Sequence, residues 1–447
     1  MASGYRQRMG FVCGIRLSRV KSVTQPAERQ YGSVMAETDA VDLIIVGGGI
    51  GGSSMALVMS RAGYSCVVLE RTTEFPDRTR GEWLAPWGVL EARRIGIEAE
   101  LREARGHVLR RHVGYDPETS REQAESEVLD LSKMVVGVEG PMTQRHPDAC
   151  QVLFDAAQQA GANCLRGVED VTVATNGSFQ SVTFKTDGSI RELRCRLVVA
   201  ADGRQSTIRR QLGIKLHTDA PHHLFSGLLV DDADEFPEDL QVIGSTDDVH
   251  YLAFPQGGGR IRLYIGFPFS DRHRYTGEVG VRNFLDAFDV PSFPYSEPIL
   301  NSTPVSPHAT YANEDSWIDE PFAPGVVFIG DAAGWNDPIN GQGLSIALRD
   351  VRITSELLRS MSEWSASTFS EYADERRVRM SNLRFAARVS SKINNEFGPE
   401  AVASRVRAKS RMVENPMLGL ALAIIMIGPE HAPEGFLGSD TWAALFS

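Results

Sequence analysis

Three short runs of aliphatic residues stand out along the chain: Val41 to Val46 (VDLIIV), Leu197 to Ala201 (LVVAA) and Val326 to Ile329 (VVFI). Nearly unbroken apolar runs of this length read as strands buried on both faces, the habit of a parallel sheet flanked by helices. A fourth strand, Cys66 to Leu69, follows the first after a helical stretch, Ser53 to Ala62, that Gly63 stops. Farther on the pattern changes to alternation. In Arg260 to Gly266, Ile261, Leu263 and Ile265 share one face, and Arg262 and Tyr264 share the other. Together with Leu224 to Val230 and Tyr251 to Phe254, and with Gln256 to Gly259 as a turn, this predicts an antiparallel sheet. Helices are predicted from Arg145 to Ala160, from about Leu344 to Leu358 and from Tyr372 to Arg388. The arginines of the last (Arg376, Arg377, Arg379, Arg384, Arg388) read as a solvated face rather than an anion site. The longest apolar run, Pro416 to Gly428, falls short of the ~18 residues of a membrane span. It reads as a buried core helix. The alternative is a helix over an apolar tunnel or in peripheral contact with a membrane surface. The predicted class is α/β: a Rossmann-like domain with a parallel sheet, an antiparallel second sheet and C-terminal helices.

The candidate chemistry sits at the ends of the buried strands. Gly47, Gly49 and Gly52 fit GxGxxG between the first strand and the first helix, with Ile50 and Gly51 inside the motif. Gly47 permits a tight turn, Gly49 lets a pyrophosphate approach the backbone, and Gly52 lets helix and strand pack closely. The helix N-terminus then offers free N–H groups to phosphates. Glu70 follows 18 residues after Gly52, at a strand end, placed to accept from ribose hydroxyls. Arg71 is its neighbour. A carboxylate there repels a 2′-phosphate, so the nucleotide is FAD or NAD rather than NADP. The second run leads into Asp202-Gly203-Arg204 and the third into Gly330-Asp331-Ala332-Ala333, followed by Pro338, Gly341, Gln342, Gly343 and Leu344. Strand-end acids beside glycines mark the edge where open α/β sheets take ligands. Asp331 could accept from a polyol, or simply cap a helix.

Charge and cysteine usage narrow the classes further. Forty-six Lys and Arg against 58 Asp and Glu give a net charge of −12, which disfavours nucleic acid. The five cysteines form no CxxC pair, so a disulfide framework and a zinc site are disfavoured and reduced cytosolic thiols are expected. The acidic run Asp231 to Asp239 lacks EF-hand spacing and reads as a solvated loop. Residues 1–38 are basic early on and read as a disordered leader. They are either a start codon placed ahead of Met35 or a transit peptide.

These motifs, in this order, resemble the FAD-dependent monooxygenases of the aromatic-hydroxylase type, from about Asp42 to Arg377. The resemblance implies FAD as cofactor, NADH or NADPH as transient co-substrate, and O2. The reaction it implies is hydroxylation or epoxidation of a small aromatic or apolar organic substrate through a flavin C4a-hydroperoxide, with no single catalytic side chain. By the same likeness Asp331 would hold the ribityl chain, Asp202 and Gly203 would lie beside the pyrophosphate, and Pro338 and Gly341 to Leu344 would line the isoalloxazine. Arg145 resembles the family's FAD-contacting arginine, and Arg80 and Glu82 occupy the equivalent early segment. Asp202-Gly203-Arg204 with Arg209 resembles the version that also receives NAD(P)H. Gly334 and Ser345 depart from the usual His and Asn. Trp83 and Trp87 could stack near the ring or sit in the core. His146 and His308 are candidate proton donors that read more readily as structural.

The expected organisation is a FAD-binding domain over 39–215 with a substrate-domain excursion at about 85–140, a substrate-binding sheet over 216–305, the second FAD-binding part over 306–365 and a helical region over 366–447. The expected setting is cytoplasmic. Rival readings on the same scaffold are a flavin-dependent reductase of isoprenoid double bonds resembling geranylgeranyl reductases, a flavin-dependent halogenase whose WxWxIP segment is missing here, and a non-enzymatic escort of prenylated GTPases.

Overall fold

The computed structural model describes residues 40–447 except Arg78, Arg80, Pro117 and Ser178. The expected leader lies outside the described residues, and so does the candidate Arg80.

Val41–Val46 is an inner strand of an eight-stranded sheet. It pairs in parallel with Cys66–Leu69 on one side and with Ser189–Ala200 on the other. Asn163–Leu165 extends the sheet beyond Cys66–Leu69, and Val326–Phe328 extends it beyond Ser189–Ala200, again in parallel. The apolar runs end at one edge of this sheet, which brings Gly47, Asp202 and Gly330 side by side although the chain separates them widely. Helices Ile50–Arg61, His146–Gln159 and Gly343–Ser360 cover one face. The first of these starts at Ile50, three residues ahead of the predicted start, because Gly49 already serves as its N-cap. The strand read as Leu197 to Ala201 begins at Ser189 instead. Its first half is polar and joins the antiparallel strands Phe179–Thr186 and Glu169–Asn176, so it carries no buried-run signature.

The second sheet also has eight strands. The predicted strands appear as His223–Asp231, His250–Gly257 and Arg260–Phe267. The hairpin joining the last two turns through Gly257, Gly258 and Gly259, all at positive φ. Two strands escaped the pattern: Leu240–Ser245, and Arg111–Tyr115 from the early excursion, which pair in parallel. Ala309–Asn313, beyond the expected boundary at 305, pairs with His223–Asp231 and so belongs to this sheet as well.

The C-terminal region is helical: Ser370–Asn394, Pro399–Glu414 and Leu420–Ile427. The solvated-arginine reading fails for two residues of the first helix. Arg376 and Arg379 are 4% and 3% exposed and converge on the buried Asp350. Asp350 lies about 30 residues upstream, out of reach of any local pattern; only the Arg379–Glu375 pair is local. Arg377 is exposed as expected. No helix among the described residues is long and apolar enough to cross a membrane.

Candidate active site

A single cavity of about 1550 Å³ opens where the two sheets meet. Ligand pockets typically measure ~300–1,000 Å³, so this one has room for more than one molecule. One end is the glycine cleft. Gly47, Gly49, Ile50 and Gly51 line it, as do Glu70 and Arg71 from the next strand end. Two glycines there are kept free of a side chain for no local reason. A Cβ on Gly49 or Gly343 would meet no atom within 4 Å, and Gly49 sits at φ −69°. The empty space in front of them suits a ligand lying against the backbone. Gly52 has the opposite role: a Cβ there would lie 1.8 Å from the Gly47 carbonyl oxygen, so it packs helix on strand and does not line the cleft. Glu70 is held at the cleft floor. Its Oε2 accepts from the Gly48 amide at 2.6 Å, and its Oε1 accepts from the Thr72 amide and hydroxyl at 2.8 and 2.7 Å.

Asp202, Gly203, Gly330, Asp331, Pro338, Gly341, Gly343 and Leu344 also line the cavity. Among the described residues Asp331 makes no capping hydrogen bond, and its half-buried carboxylate meets only Arg204, at 3.3 Å. Asp202 accepts through Oδ2 from the Thr207 and Ile208 amides, leaving Oδ1 buried without a partner. An orphaned buried acceptor, two ligand-facing glycines and an uncommitted acid are what a flavin dinucleotide needs: N–H groups for the pyrophosphate and carboxylates for the hydroxyls.

Buried ion pairs fix this end. Asp350 accepts from the Gly330 amide at 2.8 Å and from Arg379 at 2.7 Å. Arg376 donates to the carbonyls of Gly330, Ala333 and Gly334. Arg209 is another strut. It donates to the Ala332 and Arg204 carbonyls, joining the second motif to the third, and is 4% exposed, so it cannot receive a nicotinamide dinucleotide. Gln342 does not line the cavity either; it accepts from the Trp87 indole at 2.9 Å, and both residues are core.

The other end of the cavity is an apolar chamber. The second sheet supplies Phe225, Ile243, Leu252 and Phe254, and the Pro338–Gly341 loop supplies Ile339. The run predicted as core divides its loyalties. Ala421 and Ile424 pack into the C-terminal core, Leu422 and Ile425 touch both that core and the chamber, and Ala423 and Met426 line the chamber. Trp83 lies at the junction, its indole donating to Gln241 Oε1 at 3.0 Å. Burial pushes His112 and His250 down to about 4, so the imidazoles in the wall are neutral at pH 7. Tyr264 faces the cavity. Its strand neighbour Arg262 is buried in an ion pair with Glu82, so only half of the predicted polar face reaches the chamber. At the far rim Lys409 pairs with Asp116 at 2.5 Å.

Of the remaining candidates, His146 lines the cleft. His308 is remote and bonds Ser226 at 2.7 Å. Arg145 does not line the cavity; it borders a separate small hollow. Sequence reasoning missed Gln241, His250 and the chamber face of the last apolar helix. Alternation shows that a strand has two faces but not which of them meets a void.

Comparison with known proteins follows this geometry. Residues 40–387 match the family model described as FAD binding domain. Squalene epoxidase 3 of Arabidopsis thaliana is 26% identical over 343 residues, covering 74% of this chain and 62% of that protein. The chain thus spans less than two thirds of that relative's length. Menaquinone reductase of Mycobacterium tuberculosis is 24% identical over 341 residues, 73% of this chain and 78% of the relative. Among solved structures, p-nitrophenol 4-monooxygenase of Pseudomonas putida superposes with a TM-score of 0.71 at 16% identity. That match covers 88% of this chain and 99% of that one, and it shows a shared fold.

Proposed function

The chain belongs to the FAD binding domain family, and from that premise we propose that it is an FAD-dependent monooxygenase acting on an elongated apolar substrate, with NADH or NADPH and O2 as co-substrates. The observation that carries this reading is the continuity of the glycine cleft with an apolar chamber in one cavity. Bound FAD would supply the redox and oxygen chemistry, which no side chain of the protein can perform. The protein's own part is to bind, orient and keep dry. The amides from Gly49 to Gly51 would take the pyrophosphate, Glu70 the ribose and Asp331 the ribityl hydroxyls. The Pro338–Gly341 loop and Trp83 would set the boundary between ring and substrate. Leu252, Phe254, Ile339 and Met426 exclude water from that boundary, which suppresses wasteful side reactions. The neutral wall histidines leave no charge that an apolar molecule would have to desolvate. Squalene epoxidation by a relative supports epoxidation as the outcome.

A second reading, reduction of an isoprenoid double bond, is favoured by the menaquinone reductase likeness. One experiment separates them: turnover of a long-chain alkene under ¹⁸O2 and under argon. The monooxygenase reading requires one labelled oxygen in the product and no turnover under argon. Saturated product formed equally well under argon would replace it with the reductase.

A further inference from the structure

Behind the cleft, on the far side of the wall that Glu82 contributes, lies a hollow of about 190 Å³ bordered by Arg105, Arg145, Arg260, Asp148, Gln256 and Gly258. Three guanidiniums meet there and are unequally used. Arg260 is satisfied by a bidentate pair with Asp231 at 2.6 and 2.7 Å. Arg145 reaches Asp77 and Asp148 only at 3.5 Å each, and its buried Nε has no partner. The Arg105 side chain makes no hydrogen bond or ion pair among the described residues and stands exposed at the rim. It occupies φ +61°, just past the helix Glu98–Glu103, where glycine is the usual residue. Gln256 is 9% exposed; its amide nitrogen reaches the Glu82 carboxylate only loosely, and its oxygen has no partner among the described residues. A buried primary amide whose oxygen is unmet and whose nitrogen is poorly met, beside an arginine with a free donor, is an expensive arrangement unless a ligand completes it.

We propose that this hollow binds a phosphate group, with Arg105 closing over it, Arg145 and the Gln256 amide donating from the floor, and Arg260 adding charge from the side. Arginine forks match phosphate oxygens in pairs. The volume lies below the ~300 Å³ at which ligand pockets usually begin, so it admits a phosphate and not a whole nucleotide. Asp148, the one carboxylate on the lining, is engaged by Arg145 in the free protein and disfavours a second anion close to it. The phosphate is either inorganic or a monoester on a larger molecule, such as the 2′-phosphate of a reduced nicotinamide dinucleotide. The site does not depend on the redox reading above.

The test is calorimetric titration of the purified full-length chain with inorganic phosphate, then with NADPH and NADH. Saturable one-to-one phosphate binding, weakened about tenfold or more by Arg105→Ala and by Gln256→Leu, is expected from the loss of one charged or buried hydrogen bond. Arg105→Ala should keep the parent's melting temperature, since that side chain has no partner to lose among the described residues, and Gln256→Leu should change it little, since it loses only a loose contact with Glu82. If NADPH but not NADH weakens in parallel, the phosphate is the dinucleotide's. If both dinucleotides are unaffected while phosphate binding falls, the site takes free phosphate or another monoester. Absence of saturable binding, or binding indifferent to both substitutions, marks an adventitious ion only and overturns the proposal, whatever the enzyme's activity proves to be.

Discussion

The cleft and the chamber are neighbours in one cavity, yet different forces hold their walls. The cleft is framed by charge: Asp350, Arg376, Arg379 and Arg209 are all buried, and all but one of their contacts with the motifs go to backbone carbonyls of the loops around Gly330 and Arg204. The chamber is framed by contact between side chains of Leu252, Phe254, Ile339 and Met426, with few polar anchors. Directional bonds suit a wall that must present fixed N–H groups to one cofactor. Dispersion and shape suit a wall that must admit a flexible apolar molecule and release its product. Substitutions in the two regions should therefore fail in different ways.

The largest effect should come from Asp350→Ala. It leaves Arg376 without its carboxylate and Arg379 with only the half-buried Glu375, and it removes the acceptor for the Gly330 amide; breaking a buried pair costs about 3–5 kcal/mol. Thermal unfolding should drop by roughly 4–6 °C, and the isolated protein should be colourless. A yellow protein of normal stability would mean that the arginine frame is dispensable.

Next comes a pair of glycines. Gly49→Leu should abolish flavin binding while leaving the melting temperature of the flavin-free protein intact, because the side chain meets only open space. Gly52→Leu should instead lower the melting temperature, since its Cβ would collide with the Gly47 carbonyl oxygen. Flavin content and calorimetry read the two outcomes separately; equal behaviour would erase the distinction between ligand-facing and packing glycines.

In the chamber, Met426→Trp should raise KM for a long apolar substrate about tenfold, the scale of losing one to two kcal/mol of apolar burial. It should leave flavin content and flavin-reduction rate unchanged. A colourless variant would show that the chamber wall also supports the cofactor.

The smallest effect is a pH dependence at the boundary between the regions. Asp337 is buried, and burial together with the nearby Asp315 pushes its carboxyl up to about 7. In the unfolded chain it ionises near 4, so the folded state holds the proton more tightly. Its contribution to stability is therefore full below about pH 4, falls as pH rises towards 7, and is constant above. Asp337→Asn keeps an acceptor for the Ile339 amide and removes the buried charge. The variant should gain stability over the parent, more at pH 8 than at pH 5, by a few degrees in thermal unfolding. An equal gain at both pH values would show that Asp337 does not titrate in this range.

The cleft was legible because its signals are local. A strand end, a glycine and an acid stand together at Asp202-Gly203 and at Gly330-Asp331, the GxGxxG run marks the first corner with Glu70 at the end of the next strand, and the class of sheet follows from the unbroken apolar runs. What frames it was not legible. Arg376 and Arg379 sit in a polar stretch, and nothing nearby in sequence reveals that Asp350 and three remote carbonyls await them. Arg145 was misplaced for the same reason: its helix was foreseen, but the side on which its side chain falls depends on the hairpin at Gln256 to Gly259. The chamber was harder still. Its wall mixes strands too short or too polar to register, such as Leu240–Ser245, with a helix that faces the core and the void at once.

The order in which the ribosome delivers these parts adds a consequence. Val41–Val46 and its glycine loop emerge first, but the strand Val326–Phe328 and the Gly330 loop that complete the same edge follow roughly 280 residues later. At ~5–20 residues per second that gap is about 15–60 s. The arginines that brace the loop arrive later again. Nascent chains must therefore carry a half-built nucleotide site through most of their synthesis, with one parallel neighbour of Ser189–Ala200 still missing, and cofactor capture becomes one of the last events in the protein's maturation.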